Sequence, residues 1–315
     1  MADEQNKEQD VQKDGKMQKH AKGGGNRNAI AYGILQANGY NTRGMSPADA
    51  WELLTALNLM DSERWKRTDE DKADIKARSD KWKEQGGTRE KIEQNARKHA
   101  KNISFDGVKN LPALSDAVDT INSIMDKYNL SDLLLERVKD IGFHALASAG
   151  ADGINIGTKI LRNPSAAYRI CVADYQQTLA DTIRASHDIL SDPSASEQKK
   201  QAAQKCLDDA KRGQVYKRHN VVYKGREVES VVAHEMGHVI AGQLHGFTSQ
   251  ASGGKNRKLI ECYEDAKRTG AIYNISEYAA HSPDEFFAEC FAVYHMGVET
   301  LPPKINQVIE EMLKP

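Results

Sequence analysis

The residues best suited to chemistry lie in Val231–Ile240, where three residues separate two histidines and a glutamate follows the first. With 3.6 residues per turn, His234 and His238 lie one above the other on a helix face, so both imidazoles can reach one metal ion. Glu235 lies roughly 100° round the helix, beside the ion, where its carboxylate can accept a proton from a metal-activated water. The pattern therefore predicts a catalytic site with one Zn²⁺ ion.

The alternative is that the two histidines are incidental on a surface helix. The apolar residues that flank the motif indicate a buried helix instead, in which polar side chains need partners. These flanking residues are Val231, Val232, Val239 and Ile240. Two buried histidines and a glutamate without a metal would be costly, which favours zinc binding.

A catalytic zinc usually has three protein ligands and one open position. One possible third ligand follows the pattern H-E-x-x-H-x-x-G-x-x-H, but Ala241 and Leu244 occupy its glycine and last histidine positions. Gly242 and His245 each come one residue too late, so this interpretation requires a bulge in the helix.

The favoured third ligand lies downstream, where Ser282 and Pro283 are expected to begin a helix. Glu285 and Glu289 fall four residues apart on one face of that helix. Glu285 is predicted to bind the metal, and Glu289 to accept a hydrogen bond from the spare ring nitrogen of His234. The alternative for Glu285 is a capping box, in which its side chain returns to the Ser282 backbone N–H.

These two motifs together, with Tyr278 seven residues before Glu285, resemble the gluzincin catalytic domain of the anthrax lethal factor type. Similar domains occur in phage-encoded proteins and bacterial toxins. The resemblance covers about residues 225–297 and extends in weaker form to residue 102. It implies a zincin-like metallopeptidase domain of the α+β class, with a small mixed sheet, an active-site helix and a glutamate helix.

The resemblance also implies roles for individual residues. Glu235 is the expected general base, and the phenol of Tyr278 is expected to stabilise the oxyanion or protonate the leaving amine. Glu289 is expected to orient a metal ligand. The strand around Gly153–Ile160 is expected to be the sheet edge that pairs with an extended peptide or protein substrate, which makes the predicted activity that of a zinc-dependent endopeptidase.

Composition and periodicity divide the chain into three predicted parts. These are a disordered charged tail at 1–27, a helical N-terminal module at 28–101 with a helix opening at Ser46-Pro47, and the metallopeptidase domain at 102–315. Within the last part, a helix is predicted at Pro112–Lys127 and strands at Leu133–Ile141, His144–Ser148 and Gly153–Leu161. Two further helices are predicted at about Ser165–His187 and Ser194–Arg212.

The 315 residues have a formal net charge of −1, which favours neither a nucleic acid nor a membrane as partner. No apolar stretch is long enough to span a bilayer, and the N-terminus lacks the apolar centre of a secretory signal. The four dispersed cysteines are interpreted as free thiols, which predicts a cytoplasmic or phage-particle location. The alternative function is a phage-associated structural or adaptor protein whose zincin domain is inert or only self-processing. The oligomeric state is not predicted.

Overall fold

The computed structural model describes residues 42–56, 64–138, 146–150, 153–211, 218–246 and 254–314, together with Tyr32 and Leu35. The predicted tail at 1–27 lies outside these residues. The chain divides into two compact units, Met1–Glu63 and Arg64–Pro315. The sequence predicted the main domain to begin at residue 102, whereas here residues 64–101 belong to the second unit.

The described part of the first unit contains α1, Pro47–Ala56. Its start follows the predicted capping chemistry, because the Ser46 hydroxyl accepts a hydrogen bond from the Asp49 backbone N–H at 3.2 Å. Pro47 then occupies the first helical position, where its missing N–H costs nothing.

The second unit is α+β, mostly helical, with one small mixed sheet. Its elements in chain order are α2 (Asp69–Glu84), α3 (Arg89–Ala96), β1 (Ala100–Ser104), α4 (Leu111–Tyr128), β2 (Leu133–Val138), β3 (Ala147–Gly150), β4 (Gly153–Gly157), α5 (Thr158–Arg162), α6 (Pro164–Ser191), α7 (Glu197–Lys211), α8 (Glu227–His245), α9 (Gly254–Thr269), two 3₁₀ turns (Ala271–Asn274 and Tyr278–Ala280), α10 (Pro283–Met296) and α11 (Pro303–Met312).

The four strands lie in the order β1-β2-β4-β3. β1, β2 and β4 run parallel, and β3 runs antiparallel to β4. The prediction that Gly153–Ile160 forms the sheet edge is therefore wrong, because β4 is paired on both sides. β3 is an edge strand of the sheet formed by the described residues. The predicted strand Gly153–Leu161 is also too long, since Thr158–Arg162 turns into α5.

The helix that carries the HExxH motif, α8, lies at the centre of the unit. It packs against α10, α4 and β3, and its apolar residues Val232, Val239 and Ile240 are fully buried. Gly246, in the left-handed region with φ 54°, ends the helix directly after His245, as its sequence position predicts. This packing places the motif between the edge strand and the glutamate helix.

The helix α4 supports α8 with an amphipathic face. Leu114, Val118, Ile121 and Met125 recur at helical spacing and are buried in the core shared with α8 and α10. The helix ends at Asn129, which adopts the left-handed region with φ 49°. None of the helices in the described part of the chain combines the length and the apolar character needed to cross a bilayer.

Candidate metal centre

Two histidines on α8 face the same point. The Nε2 atoms of His234 and His238 are 3.3 Å apart, and the two rings meet edge to face with centroids 5.0 Å apart. Both residues line a cavity of about 720 Å³. The four-residue spacing on one helix therefore brings the two imidazoles together as the sequence predicts.

Glu285 approaches the same point from α10. Its backbone N–H donates to the Ser282 hydroxyl at 3.2 Å, which caps the helix. Its side chain does not return to Ser282: the Oε2 atom lies 3.2 Å from Nε2 of His234 and 3.4 Å from Nε2 of His238. The expected cap and the expected juxtaposition with the histidines thus occur together.

The distances among these three atoms suit a metal ion. Zinc bonds to nitrogen and oxygen are about 2.0–2.1 Å long, so adjacent ligand atoms of a tetrahedral site lie about 3.3 Å apart. The three measured separations are 3.2, 3.3 and 3.4 Å. In addition, Glu285 Oε2 is buried, and no donor among the described residues is aligned to form a hydrogen bond with it. A metal ion bound by all three atoms would satisfy this oxygen.

Glu289 lies one turn further along α10 and is completely buried. Its Oε1 atom is 2.7 Å from Nδ1 of His234, a short contact that is not well aligned as a hydrogen bond. Its Oε2 atom accepts hydrogen bonds from the Val221 N–H at 2.8 Å and the Ser276 hydroxyl at 2.5 Å. In the neutral imidazole, a proton on Nδ1, the nitrogen next to this carboxylate, leaves Nε2 unprotonated and able to bind a metal.

The pKa values of the two glutamates Glu285 and Glu235 are shifted by burial and by the neighbouring histidines. Burial raises the pKa of Glu285, but the two neighbouring imidazoles outweigh it and hold that pKa well below its usual range. Burial raises the pKa of Glu235, an effect that His234 and His238 partly offset. Glu235 is buried and lines the cavity, beside the proposed ligands rather than among them.

Tyr278 lies on the 3₁₀ turn before α10, with its ring centroid 5.9 Å from that of His234. Burial, followed by the charges of Glu285 and Glu235, raises the pKa of its phenol well above the usual value. A phenol is protonated at neutral pH even with its usual pKa of about 10, so Tyr278 can donate a hydrogen bond. Its position beside the cluster agrees with the place that the sequence prediction requires.

His245, the alternative third ligand, lies elsewhere. Its Nε2 atom contacts the backbone carbonyl of Met312 on α11. The only group of three potential ligands found in the described part of the chain is His234, His238 and Glu285. A third ligand at His245, which would require a bulge in α8, therefore has no structural support.

Comparison with protein families, curated proteins and solved structures finds no match to this chain. The interpretation of the site therefore depends on its geometry and on the chemistry of its residues.

Sequence reasoning missed several residues of this site. The segment 219–222 forms a wall of the cavity, and β3 with Leu146 forms another. Nδ1 of His219 lies 3.2 Å from Glu277 Oε2, and its ring is next to Tyr278, with centroids 5.9 Å apart. Ser276 and the Val221 N–H hold Glu289. No spacing or motif in the sequence marks these residues, because they come together only through tertiary packing.

Proposed function

We propose that this protein is a zinc-dependent endopeptidase with a zincin-like catalytic domain, in which His234, His238 and Glu285 bind the metal. The observation that carries the proposal is the triangle of ligand atoms with sides of 3.2–3.4 Å. Glu235 and Tyr278 flank this triangle within the same cavity. A metal-binding site without a catalytic role would not require a buried carboxylate and a protonated phenol beside it.

Each residue has a defined part in the proposed reaction. A zinc ion bound at this site would lower the pKa of a water to about 7 and polarise the scissile carbonyl. Glu235 accepts the proton of the attacking water and delivers it to the departing amine. The phenol of Tyr278 donates a hydrogen bond to the negative charge that develops on the carbonyl oxygen, or a proton to the amine. Glu289 holds His234 in the orientation that ligation needs.

The substrate is proposed to bind as an extended peptide along β3, in place of the strand predicted from the sequence. The Gly157 N–H donates to the Leu146 carbonyl at 2.8 Å, so 146 and 157 form a hydrogen-bonded pair of the antiparallel ladder. In this register the backbone N–H and C=O groups of Ser148 also form hydrogen bonds with β4. The N–H and C=O groups of Ala147 and Ala149 point the other way, toward the outer edge of the sheet formed by the described residues. These backbone groups are suited to pair with a peptide strand beside the cavity.

The test combines zinc stoichiometry with cleavage of a mixed peptide library. We expect the wild type to bind one zinc ion per chain and to cleave peptides. Glu235→Gln should retain the zinc and lose cleavage by about 10²–10⁴-fold, the usual contribution of a general base. His238→Ala should lose both, while the exposed His187→Ala serves as a control that also removes one imidazole. Full activity of Glu235→Gln, or a wild type that binds no zinc, would overturn the proposal.

A further inference from the structure

Ser276 lies outside the proposed catalytic machinery but contacts two parts of it. Its side chain is completely buried. Its hydroxyl donates to Glu289 Oε2 at 2.5 Å and accepts a hydrogen bond from the Ala279 backbone N–H at 3.0 Å. A hydroxyl is one of the few groups that can donate and accept at the same time. Alanine at this position would break both bonds.

The two bonds lead to different parts of the site. Glu289 lies 2.7 Å from Nδ1 of His234, so the first bond fixes the carboxylate that orients a proposed metal ligand. Ala279 is the residue after Tyr278 in the 3₁₀ turn, so the second bond fixes the turn that carries the phenol. The Tyr278 N–H donates to the His219 carbonyl at 2.9 Å, which holds the same turn from its other side.

We propose that Ser276 is a positioning residue that couples the orientation of His234 to the placement of Tyr278. This inference rests on the proposed zinc peptidase function and extends it. Through Glu289, the hydroxyl contributes to zinc affinity; through Ala279, it contributes to turnover once zinc is bound. Loss of this one buried hydroxyl should therefore lower both the zinc affinity and kcat. Ordinary destabilisation would leave both unchanged in a protein that still folds.

A double-mutant cycle with Glu289→Gln tests the first link. Partners of metal-binding histidines typically contribute 10–100-fold in affinity. We expect Ser276→Ala to weaken zinc binding about tenfold in the wild type, measured by competition with a chelator. In the Glu289→Gln background the same change should alter affinity less than threefold, because the carboxylate through which it acts is already gone. Equal effects in the two backgrounds would overturn the link.

The second link is measured as kcat at saturating zinc. We expect kcat to fall about tenfold in Ser276→Ala while KM changes little, because the freed Ala279 N–H loosens the turn of Tyr278. An unchanged kcat would refute this link. If Ser276→Ala does not fold, Ser276→Cys keeps a weaker donor and acceptor on a somewhat larger atom and should give a smaller loss of zinc affinity and of kcat.

Ser230 provides a matched control. It is also completely buried, accepts from the Tyr223 N–H at 3.0 Å and donates to the Arg226 carbonyl at 2.7 Å. Ser230→Ala should lower stability by a similar amount and leave zinc affinity and kcat within about twofold. Equal losses in both variants would indicate general destabilisation and refute the inference. A wild type that binds no zinc refutes the proposed function together with the inference, whereas additive effects in a zinc-binding enzyme refute only the inference.

Discussion

The distance between the two site helices depends on a glycine. Gly237 lies inside the HExxH motif of α8 and faces α10, where a Cβ atom built on it would be 2.8 Å from Cα of Ala288. Carbon atoms in contact normally lie about 3.5–4.0 Å apart. Gly237→Ala therefore requires α8 and α10 to separate by about 0.7–1.2 Å. Because Glu285 is three residues before Ala288 on α10, its carboxylate would move away from the histidines with that helix.

Two effects of Gly237→Ala oppose each other. Alanine is a better helix former than glycine by about 1 kcal/mol, whereas overpacking a core costs about 1–3 kcal/mol. Here the clash is with backbone, which cannot rotate away, so we expect the variant to be about 1 kcal/mol less stable. Metal sites tolerate deviations of only about 0.2 Å, so zinc affinity should fall at least tenfold.

Urea unfolding of the metal-free protein and chelator competition measure these two quantities. Ala288→Gly, added to Gly237→Ala, tests which atom causes the clash. It removes the Ala288 Cβ, which would lie 3.4 Å from the new Cβ of residue 237, but it leaves the Cα at 2.8 Å. The double variant should therefore remain weak in zinc binding. A Gly237→Ala protein with higher stability and unchanged zinc affinity would show that α8 and α10 do not pack closely at Gly237.

Two further predictions concern the proposed substrate edge and an acid with a raised pKa. Ala149→Pro removes an N–H that faces away from β4 and should lower kcat/KM about tenfold with little loss of thermal stability. Ser148→Pro should in addition lower thermal stability, because it removes a hydrogen bond between β3 and β4. Equal loss of thermal stability in both variants would contradict the assigned register. Burial, then the charge of Glu229, raises the pKa of the Asp116 carboxyl to about 6. The contribution of the protonated carboxyl to the free energy of unfolding is therefore fully present below pH 3.8 and is lost as the pH rises through 6. Because this side chain is 37% exposed, Asp116→Asn should gain only about 1 kcal/mol at pH 8 and nothing at pH 3.5 in urea unfolding.

The features predicted correctly from the sequence are those encoded by neighbouring residues. Ser46 and Pro47 begin α1, Gly246 ends α8, and the apolar spacing of 112–127 marks α4. The juxtaposition of His234 with His238 follows from helix geometry alone. That Glu285 reaches them was inferred from its place one turn before Glu289 and from the resemblance, and it depends on how α8 and α10 cross.

The features that were missed depend on contacts between distant parts of the chain. β1 was not predicted because Ala100–Ser104 shows little apolar alternation. The alternation in Gly153–Leu161 gave no sign that the chain becomes helical at Thr158. The order of the strands depends on how each crosses over the sheet, so the residue pattern offers no basis for choosing β3 over β4 as the edge.

The composition of β3 has a consequence for the behaviour of the protein in solution. Strands at the border of a sheet attract other chains, and proteins usually protect them with lysine, proline or other interrupting residues. β1, at the opposite border, carries Lys101 with its side chain 71% exposed, whereas Ala-Ser-Ala-Gly in β3 carries neither a charge nor a proline. Two copies joined through β3 would occupy the backbone groups at which the proposed substrate pairs, so self-association is expected to compete with the proposed peptidase activity. The same uncharged backbone groups that are proposed to pair with a peptide are thus also suited to pair with a second copy.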